Sequence, residues 1–306
     1  MSTYYKILPE DLICRGFQYH EGLNIDKNTI DEDECSYGLH FSDLKHILSF
    51  YGYGTMIAEV EIPEDAVVYH FYNKSKADRI ILKNIRPLWC TETLDDLFLK
   101  GAEIAPKNSI LFMVVECGYS DAVKCLVEHG ANIHAMDDLP LRSASECGYI
   151  DVVKYLVEQE ANIHVFNDLP LRKASECGYI DIVKYLVEQG ANIHVRDDEA
   201  LCWASENGHL DVVKYLVEQG ADIHVQDDDP LYWASTNGYF DIVKYLVEQG
   251  ANIHALNDYA LRIASEYGYL DIVKYLVEQG ADIHALRDWS IRCAKTSEIE
   301  KYLKSL

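Results

Sequence analysis

Apolar positions follow helical spacing over most of the chain. The segment IDVVKYLVEQ at residue 150 recurs in near copies at residues 180, 210, 240 and 270, so the sequence repeats every 30 residues. Within the first copy, Val152, Val153, Leu156 and Val157 lie on one face of a helix. Because a single short helix cannot bury such a face alone, neighbouring copies are predicted to stack.

Each repeat is predicted to hold two short helices. In the unit from Asp138, Leu141 and Ala144 lie on one face of a first helix, and Gly148 can end it in the left-handed conformation. The second helix begins near Asp151, whose carboxylate suits the positive helix end. Weaker copies, SDAVKCLVEHGANIHA and LDDLFLKGAEIAP, precede residue 150. The pattern therefore predicts a helical solenoid.

Before about residue 88 the 30-residue repeat is absent, and part of the sequence alternates between apolar and polar residues. Met56, Ala58, Val60 and Ile62 alternate with more polar neighbours, as in a half-buried strand, and Pro63 ends the alternation. Two more strands and a short helix are predicted, at Val67 to Tyr72, at Ile80 to Lys83, and around Leu44, Ile47 and Leu48. Residues 1–88 are therefore predicted to form a small α+β domain.

The repeat resembles the ankyrin repeat. PLRSASECGY, VVKYL and GANIH fall in register with the family patterns T-P-L-H-x-A-A-x-x-G-H, V-V-x-L-L and G-A-D-V-N. The resemblance implies an all-α ankyrin-repeat solenoid over 89–306, with an N-terminal cap at 92–106, repeats over 107–288 and a C-terminal cap at 289–306. The period of 30 residues is shorter than the usual 33. Because the missing residues precede the first helix of each unit, the hairpin turns are predicted to be shortened.

The N-terminal segment resembles a small domain of unknown function found in phage and giant-virus proteins. The segments LICRGFQYHEGLNI, ECSYGLHFSD, AEVEIP and KADRIIL carry this resemblance. Combined with repeats rich in Tyr, Ile and Asn, the chain is similar to the ankyrin-repeat proteins of mimivirus-type giant viruses. Neither resemblance implies a known activity.

Two polar residue types recur once in every repeat. We expect the aspartates to cap the first helix of each unit; they are Asp138, Asp168, Asp198, Asp228, Asp258 and Asp288, with Asn108 in the same place in the first unit. The histidines are His134, His164, His194, His224, His254 and His284. Stacked repeats are too far apart for these rings to share a metal, so we expect each ring to bond a neighbouring loop. If the rings are buried and neutral, mild acid would loosen the array.

One residue breaks the repeat. Glu160 stands where Gly130, Gly190 and Gly220 end the second helix of other units. A side chain in the left-handed conformation costs about 1 kcal/mol. We therefore expect Glu160→Gly to raise the melting temperature.

The charge balance limits the classes of partner. Lys and Arg number 27 and Asp and Glu number 51, so the net charge is -24, of which -19 belongs to residues 89–306. A surface this acidic disfavours nucleic acids and anionic membranes, both of which require cationic groups. We expect a monomer that binds a basic or amphipathic protein partner.

Cysteine usage and the chain's start predict the compartment. The nine cysteines show no paired spacing, which indicates a reducing environment. MSTYYKIL lacks the features of a signal peptide, and the longest apolar run is far below the roughly 20 residues of a membrane span. The sequence predicts an intracellular protein, in the host cytoplasm or virion if the chain is viral.

A binding surface is predicted where the repeats differ. The family resemblance implies that partners dock on the concave groove formed by the turns and the first helices. Residues vary there while their neighbours stay fixed, which indicates that packing does not dictate them. The predicted partner-binding residues are Trp203, Tyr232, Trp233, Arg172, Arg262, Asp197, Asp227 and Asp229. Alternatively, the tryptophans only fill space between helices.

Catalysis is not expected. No phosphate-binding glycine loop, nucleophile elbow or metal-binding motif appears, so we expect no catalytic residues, cofactor or metal. The alternative is that residues 1–88 form a catalytic or nucleotide-binding module targeted by the repeats, using His40, Arg15 and Lys76. Cys14, Cys35, His40 and His46 form a weak metal-ligand set.

Overall fold

The computed structural model describes residues 3–28, 30–34, 37–104 and 109–306. They form two compact units, Met1–Pro140 and Leu141–Leu306. Cys35, Asn108 and the end of the predicted N-terminal cap lie outside the described residues.

An antiparallel sheet occupies the start of the first unit. Its seven strands follow the order β4-β9-β6-β1-β5-β8-β7, and β2 pairs separately with β3. The central strand β1 pairs with β6 along its whole length, from Tyr4 opposite Val60 to Leu8 opposite Met56. The strand bounds are β1 Tyr4–Leu8, β2 Ile13–Cys14, β3 Phe17–Gln18, β4 Gly22–Ile25, β5 Leu39–Asp43, β6 Met56–Glu61, β7 Val68–His70, β8 Ser75–Ala77 and β9 Arg79–Pro87.

The three predicted strands are present as β6, β7 and β9, but β6 is buried on both faces along part of its length. Ala58 and Val60 of β6 join the core formed with Leu8 and Leu82. Ile57, which the alternation assigned to the solvent face, is only 1% exposed. The predicted short helix is a 3-10 helix over Ile47–Tyr53 that contacts β1 and β5. Residues outside the predicted strands therefore cover both faces of this part of β6.

Fifteen helices follow among the described residues. The first unit holds α1 Thr91–Lys100, α2 Ser109–Glu116 and α3 Ser120–Glu128. Helix α4, Ala135–Cys147, includes the last residues of the first unit. The second unit continues with α5 Ile150–Glu158, α6 Val165–Glu176, α7 Ile180–Glu188, α8 Val195–Asn207, α9 Leu210–Glu218, α10 Val225–Asn237, α11 Phe240–Glu248, α12 Ala255–Tyr267, α13 Leu270–Glu278, α14 Ala285–Arg292 and α15 Ser297–Lys304.

The connection between repeats is one short left-handed turn, which confirms the predicted shortening. Near the start of the first helix in six repeats, inside the helix bounds given above, three consecutive residues adopt positive φ, as do Phe166, Asn167 and Asp168 at 49°, 57° and 52°. Asn and Asp tolerate this conformation better than other side chains, which accounts for their frequency here. The six left-handed turns are residues 136–138, 166–168, 196–198, 226–228, 256–258 and 286–288.

Four of the recurring aspartates bond groups other than the first-helix N–H groups that were predicted. Asp168 Oδ1 accepts hydrogen bonds from His164 Nδ1 at 2.9 Å and from the backbone N–H of Asn192 at 3.0 Å. The same two bonds recur at the equivalent aspartates, Asp198, Asp228 and Asp258. Since Asn192 lies in the loop that leads into the next repeat, each of these buried carboxylates joins its own turn to the following loop. The aspartates are structural, but their partners differ from those predicted.

The recurring histidines also have other partners than predicted. His164, His194 and His224 each bond the aspartate of their own left-handed turn instead of a neighbouring loop. Their side chains are 55% to 57% exposed. The acid-loosening hypothesis required buried rings, and these rings are not buried.

A side chain is excluded for two reasons at several glycines that end a first helix. The backbone is left-handed there, and a Cβ would overlap a ring of the next unit. Gly208 has φ 84°, and a Cβ placed there would lie 2.5 Å from the ring of Tyr239 in the next unit. At the end of the second helix, Gly220 has φ 95° with nothing within 4 Å of such a Cβ. Glu160 occupies the corresponding position with φ 68°, so its side chain is held in the left-handed region.

Candidate functional site

Three partly exposed aromatic residues lie on neighbouring first helices of the array. Trp203 is on α8, Tyr232 and Trp233 are on α10, and these two helices pack together. We call these three residues the aromatic surface. Their neighbours Leu201 and Ala234 are fully buried, so each ring lies at the edge of the core and keeps part of its area in solvent.

Trp203 lies beneath two cations of the preceding first helix. The Arg172 guanidinium is 5.3 Å and the Lys173 ammonium 5.7 Å from its ring. Cations within about 6 Å of an aromatic face are attracted by the ring quadrupole. The two cations pack against Trp203, which still keeps part of its area exposed.

Tyr232 and Trp233 belong to a second group of rings. Tyr232 meets the edge of Trp233 at 4.7 Å between centroids and contacts Tyr259 at 4.9 Å. The Arg262 guanidinium lies 4.8 Å from the Tyr259 ring. Burial, with the Tyr232 hydroxyl nearby, raises the pKa of Tyr259.

Tyr259 is a candidate that the sequence prediction missed. It occupies a position that varies from repeat to repeat as strongly as those used for the prediction. The residues in this position are Leu139, Leu169, Glu199, Asp229, Tyr259 and Trp289. The same criterion, variation beside fixed neighbours, would have identified it.

The predicted arginines are buried and hold the left-handed turns. Arg172 is 5% and Arg262 is 8% exposed. Arg172 donates from Nε to the carbonyl of Asn167 at 3.0 Å and from Nη2 to that of Phe166 at 2.7 Å. Arg262 makes the equivalent bonds to its own turn. These guanidiniums therefore support the aromatic rings and the turns beside them.

The predicted acidic residues flank the aromatic surface in two different environments. Asp197 and Asp227 are exposed within the left-handed turns. Asp229 is partly buried, and its pKa is raised by burial and by the charge of Asp227. The two exposed carboxylates are the ones available to a cationic partner.

One group of metal-ligating residue types occurs among the described residues, and it was not predicted. Donor atoms of Asp95, Cys125 and His129 lie within 4.8 Å of one another. Cys125 Sγ donates to Asp95 Oδ1 at 3.2 Å, and His129 Nδ1 bonds the Cys125 carbonyl at 2.9 Å. Burial and the Asp95 carboxylate raise the pKa of the Cys125 thiol to about 12. These groups bond one another, and a metal would have to displace those bonds.

The N-terminal candidates do not all lie together. Arg15 and His40 line a cavity of about 440 Å³, and Lys76 is not among its lining residues. Lys76 is fully buried and donates to the Asp33 carbonyl. In the weak metal set, His40 contacts the Glu34 carbonyl and His46 contacts the Asp43 carboxylate.

No helix among the described residues is long and apolar enough to cross a membrane.

Two family models match the chain. A model of three ankyrin repeats matches residues 90–167, 112–197, 163–227 and 201–287. A model of a domain of unknown function matches residues 2–88. Both sequence resemblances are therefore confirmed.

Relatives of the chain include ankyrin repeat proteins of Acanthamoeba polyphaga mimivirus. Three of them are 32%, 29% and 31% identical over 45%, 44% and 43% of this chain. The chain spans 44%, 70% and 54% of their lengths, so about half of the first and third relatives is not represented here.

Solved structures share the repeat fold. The human ASB11 ankyrin repeat domain matches 64% of this chain and 96% of its own length, with a TM-score of 0.57 and 24% identity. The ankyrin repeat domain of Bcl-3, a member of the IkappaB family, matches 63% of this chain and 97% of its own length, with a TM-score of 0.51 and 25% identity.

Proposed function

Since the chain belongs to the ankyrin-repeat family, whose repeats are generally protein–protein interaction modules, we propose that its array binds a protein through the aromatic surface. The docking face consists of the first helices and the left-handed turns. Members of this family are generally non-enzymatic scaffolds, and we assign the array the same role.

The observation that carries this proposal is the contrast between fixed and variable positions. Equivalent residues on either side of the aromatic surface, such as Leu201 and Leu231 or Ala204 and Ala234, are identical and buried. Trp203 and Trp233 replace Ser143, Lys173 and Ile263 without entering the core. Aromatic side chains are typical anchors of protein interfaces. A partly exposed ring that packing does not require is therefore assigned to a partner.

Charge defines the class of partner. Residues 89–306 carry a net charge of -19, and Asp197 and Asp227 are exposed beside the aromatic surface. A basic or amphipathic protein would be attracted over a distance and oriented by these carboxylates. Raising the ionic strength would then lower the association rate constant more than it changes the dissociation rate constant.

The test is photo-crosslinking with the full chain. A benzophenone side chain in place of Trp203 should crosslink one protein from an amoebal lysate, and purification of that protein allows its affinity to be measured. We expect Trp203→Ala with Trp233→Ala to weaken binding at least tenfold while the melting temperature falls little. Tyr215→Ala, on a second helix, is the matched control and should leave the affinity unchanged.

The alternative is that the tryptophans only fill space between helices. In that case the double substitution unfolds the array. The affinity for the partner then falls at least as much in Tyr215→Ala as in the tryptophan variant. Either result would contradict the proposal. An intracellular location and a monomeric state stay predictions of the sequence.

A further inference from the structure

A partly open cavity with unusual chemistry lies against the N-terminal sheet. Its volume of about 440 Å³ lies within the roughly 300–1,000 Å³ typical of small-molecule sites. Residues of β1 and β5, the loop between β2 and β3, and the 3-10 helix line it. We call it the N-terminal cavity.

Lys6 contributes a buried ammonium to this cavity. The residue is 6% exposed, and its Nζ donates to the His40 carbonyl at 2.6 Å and lies 4.4 Å from the Tyr19 ring. No carboxylate pairs with it among the described residues. Burial lowers the pKa of Lys6 to about 8. Since an ammonium has three donors, two are left for another acceptor.

A buried cation without a carboxylate is costly unless something else compensates for its charge. Proteins normally pair buried charges or avoid them. Lys6 is placed where its ammonium faces the cavity and not a carboxylate. A negatively charged group inside the cavity would supply the missing partner.

Other charges of the N-terminal cavity favour an anion as well. Arg15 is exposed at its margin, in a left-handed conformation with φ 51°, and its charge further lowers the pKa of Lys6. Lys74 also lines the cavity and pairs with Glu34 at 3.3 Å. Among the described lining residues one is acidic, Asp26, and it accepts from the backbone of Asn28 and Gly38. Cations therefore predominate in a strongly acidic protein.

Aromatic rings form much of the remaining wall. Phe17 lies 4.7 Å from Tyr19, and Phe50 lies 6.1 Å from Tyr53, between ring centroids. All four line the cavity. Flat apolar groups stack well on such rings. The ligand should therefore carry a planar ring as well as a negative charge.

We propose that the N-terminal cavity binds a mononucleotide, with its phosphate held by Lys6 and Arg15 and its base against the aromatic wall. Neither family match assigns this site. The binding does not depend on the proposed function of the array, because the lining residues lie within residues 1–88.

Calorimetric titration of the full chain tests the ligand class. The probes are AMP, GMP, CMP and UMP, with adenosine and inorganic phosphate for comparison. We expect at least one nucleotide to bind tenfold more tightly than either fragment. Binding of none of the four, or equal binding by phosphate alone, would overturn the proposal. If adenosine binds as tightly as AMP, Lys6 and Arg15 do not hold the phosphate, and the proposal is overturned.

Substitutions separate ligand binding from a structural role. We expect Lys6→Met to weaken nucleotide binding at least tenfold without lowering the melting temperature, and Arg15→Gln to weaken it several-fold. Lys83→Gln, at an exposed lysine paired with Glu61, should leave affinity unchanged. If Lys6 only fastens the His40 carbonyl, Lys6→Met lowers the melting temperature and nucleotide affinity stays at the wild-type value, which contradicts the proposal.

A chain with Trp203→Ala and Trp233→Ala provides the remaining control. It should bind the nucleotide as the wild type does, so failure of the proposed array surface leaves the cavity result unaffected. Loss of nucleotide binding in this variant would instead contradict the assignment of the ligand to the N-terminal cavity.

Discussion

One buried charge in the array and one in the N-terminal sheet differ in how completely their surroundings compensate for them. In the array, Asp198 is buried, but His194 and the backbone of Asp222 both donate to it. In the sheet, Lys6 is equally buried and has a single carbonyl acceptor. The difference indicates that the array is built for stability at these positions, whereas the sheet retains a destabilising charge.

The comparison also shows which signal identifies a candidate site in each region. In the array, six copies of one unit separate positions that packing fixes from positions that it does not. The sheet contains no such copies, so its candidate site is identified by an incompletely compensated charge beside a cavity. The predictions below test these two accounts.

The largest expected effect tests how tightly the repeats stack. Gly208→Ala places a Cβ 2.5 Å from the Tyr239 ring and keeps a left-handed backbone at φ 84°. We expect a loss of about 2–4 kcal/mol, from left-handed strain and overpacking together. Urea unfolding followed by circular dichroism measures it.

Gly220→Ala is the matched control. Its φ of 95° imposes similar strain, but nothing lies within 4 Å of the new Cβ. The loss should be about 1 kcal/mol. Equal losses at the two positions would show that contact with the next repeat does not matter.

A pH dependence tests the buried cation. Because burial lowers the pKa of Lys6 to about 8, the folded chain releases this proton at a lower pH than the unfolded chain. The unfolded state then binds more protons, and stability rises with pH. We expect the wild type, without ligand, to gain about 2 kcal/mol relative to Lys6→Met between pH 8 and 10.

The measurement is the difference in unfolding midpoint between these two chains at pH 8, 9 and 10. Using the difference removes titrations that the chains share, such as those of the tyrosines. A constant difference across this range would show that Lys6 does not carry a destabilising charge.

A smaller effect tests the bond between a left-handed turn and the loop that leads into the next repeat. Asp228→Ala leaves the His224 ring and the backbone N–H of Asn252 without their acceptor. We expect a loss of about 1.5 kcal/mol and faster hydrogen exchange at the Asn252 amide. Asp228→Asn keeps an acceptor oxygen and should lose less. Unchanged exchange at Asn252 in the alanine variant would contradict this account of the turn.

The smallest effect tests the one irregular second helix. Glu160→Gly removes left-handed strain at φ 68° and should stabilise the chain by about 1 kcal/mol. The melting temperature should rise by a few degrees. Gly190→Ala is the reverse change at the equivalent position and should lower it. A lower melting temperature for Glu160→Gly would contradict this account. It would mean that the Glu160 side chain stabilises the folded chain by more free energy than the backbone strain costs.

Much of the candidate surface could be predicted from the sequence, because repetition separates packing residues from others. Trp203, Tyr232 and Trp233 were identified in this way, and they are partly exposed. Arg172 was predicted to contact a partner, but its guanidinium binds the carbonyls of Phe166 and Asn167. Those carbonyls are available only because the turn is left-handed, which no local pattern indicates.

The sequence by itself determined the repeat, its 30-residue period, the two helices of each unit and the shortening of the turns. These follow from local periodicity and from the need of each hairpin to bury its apolar face. Only the tertiary structure decided that Asp168 binds the loop leading into the next repeat and that Lys6 lines a cavity. Both features depend on groups that are distant in sequence or on a backbone conformation set by packing. Neither feature produces a periodic pattern in the sequence.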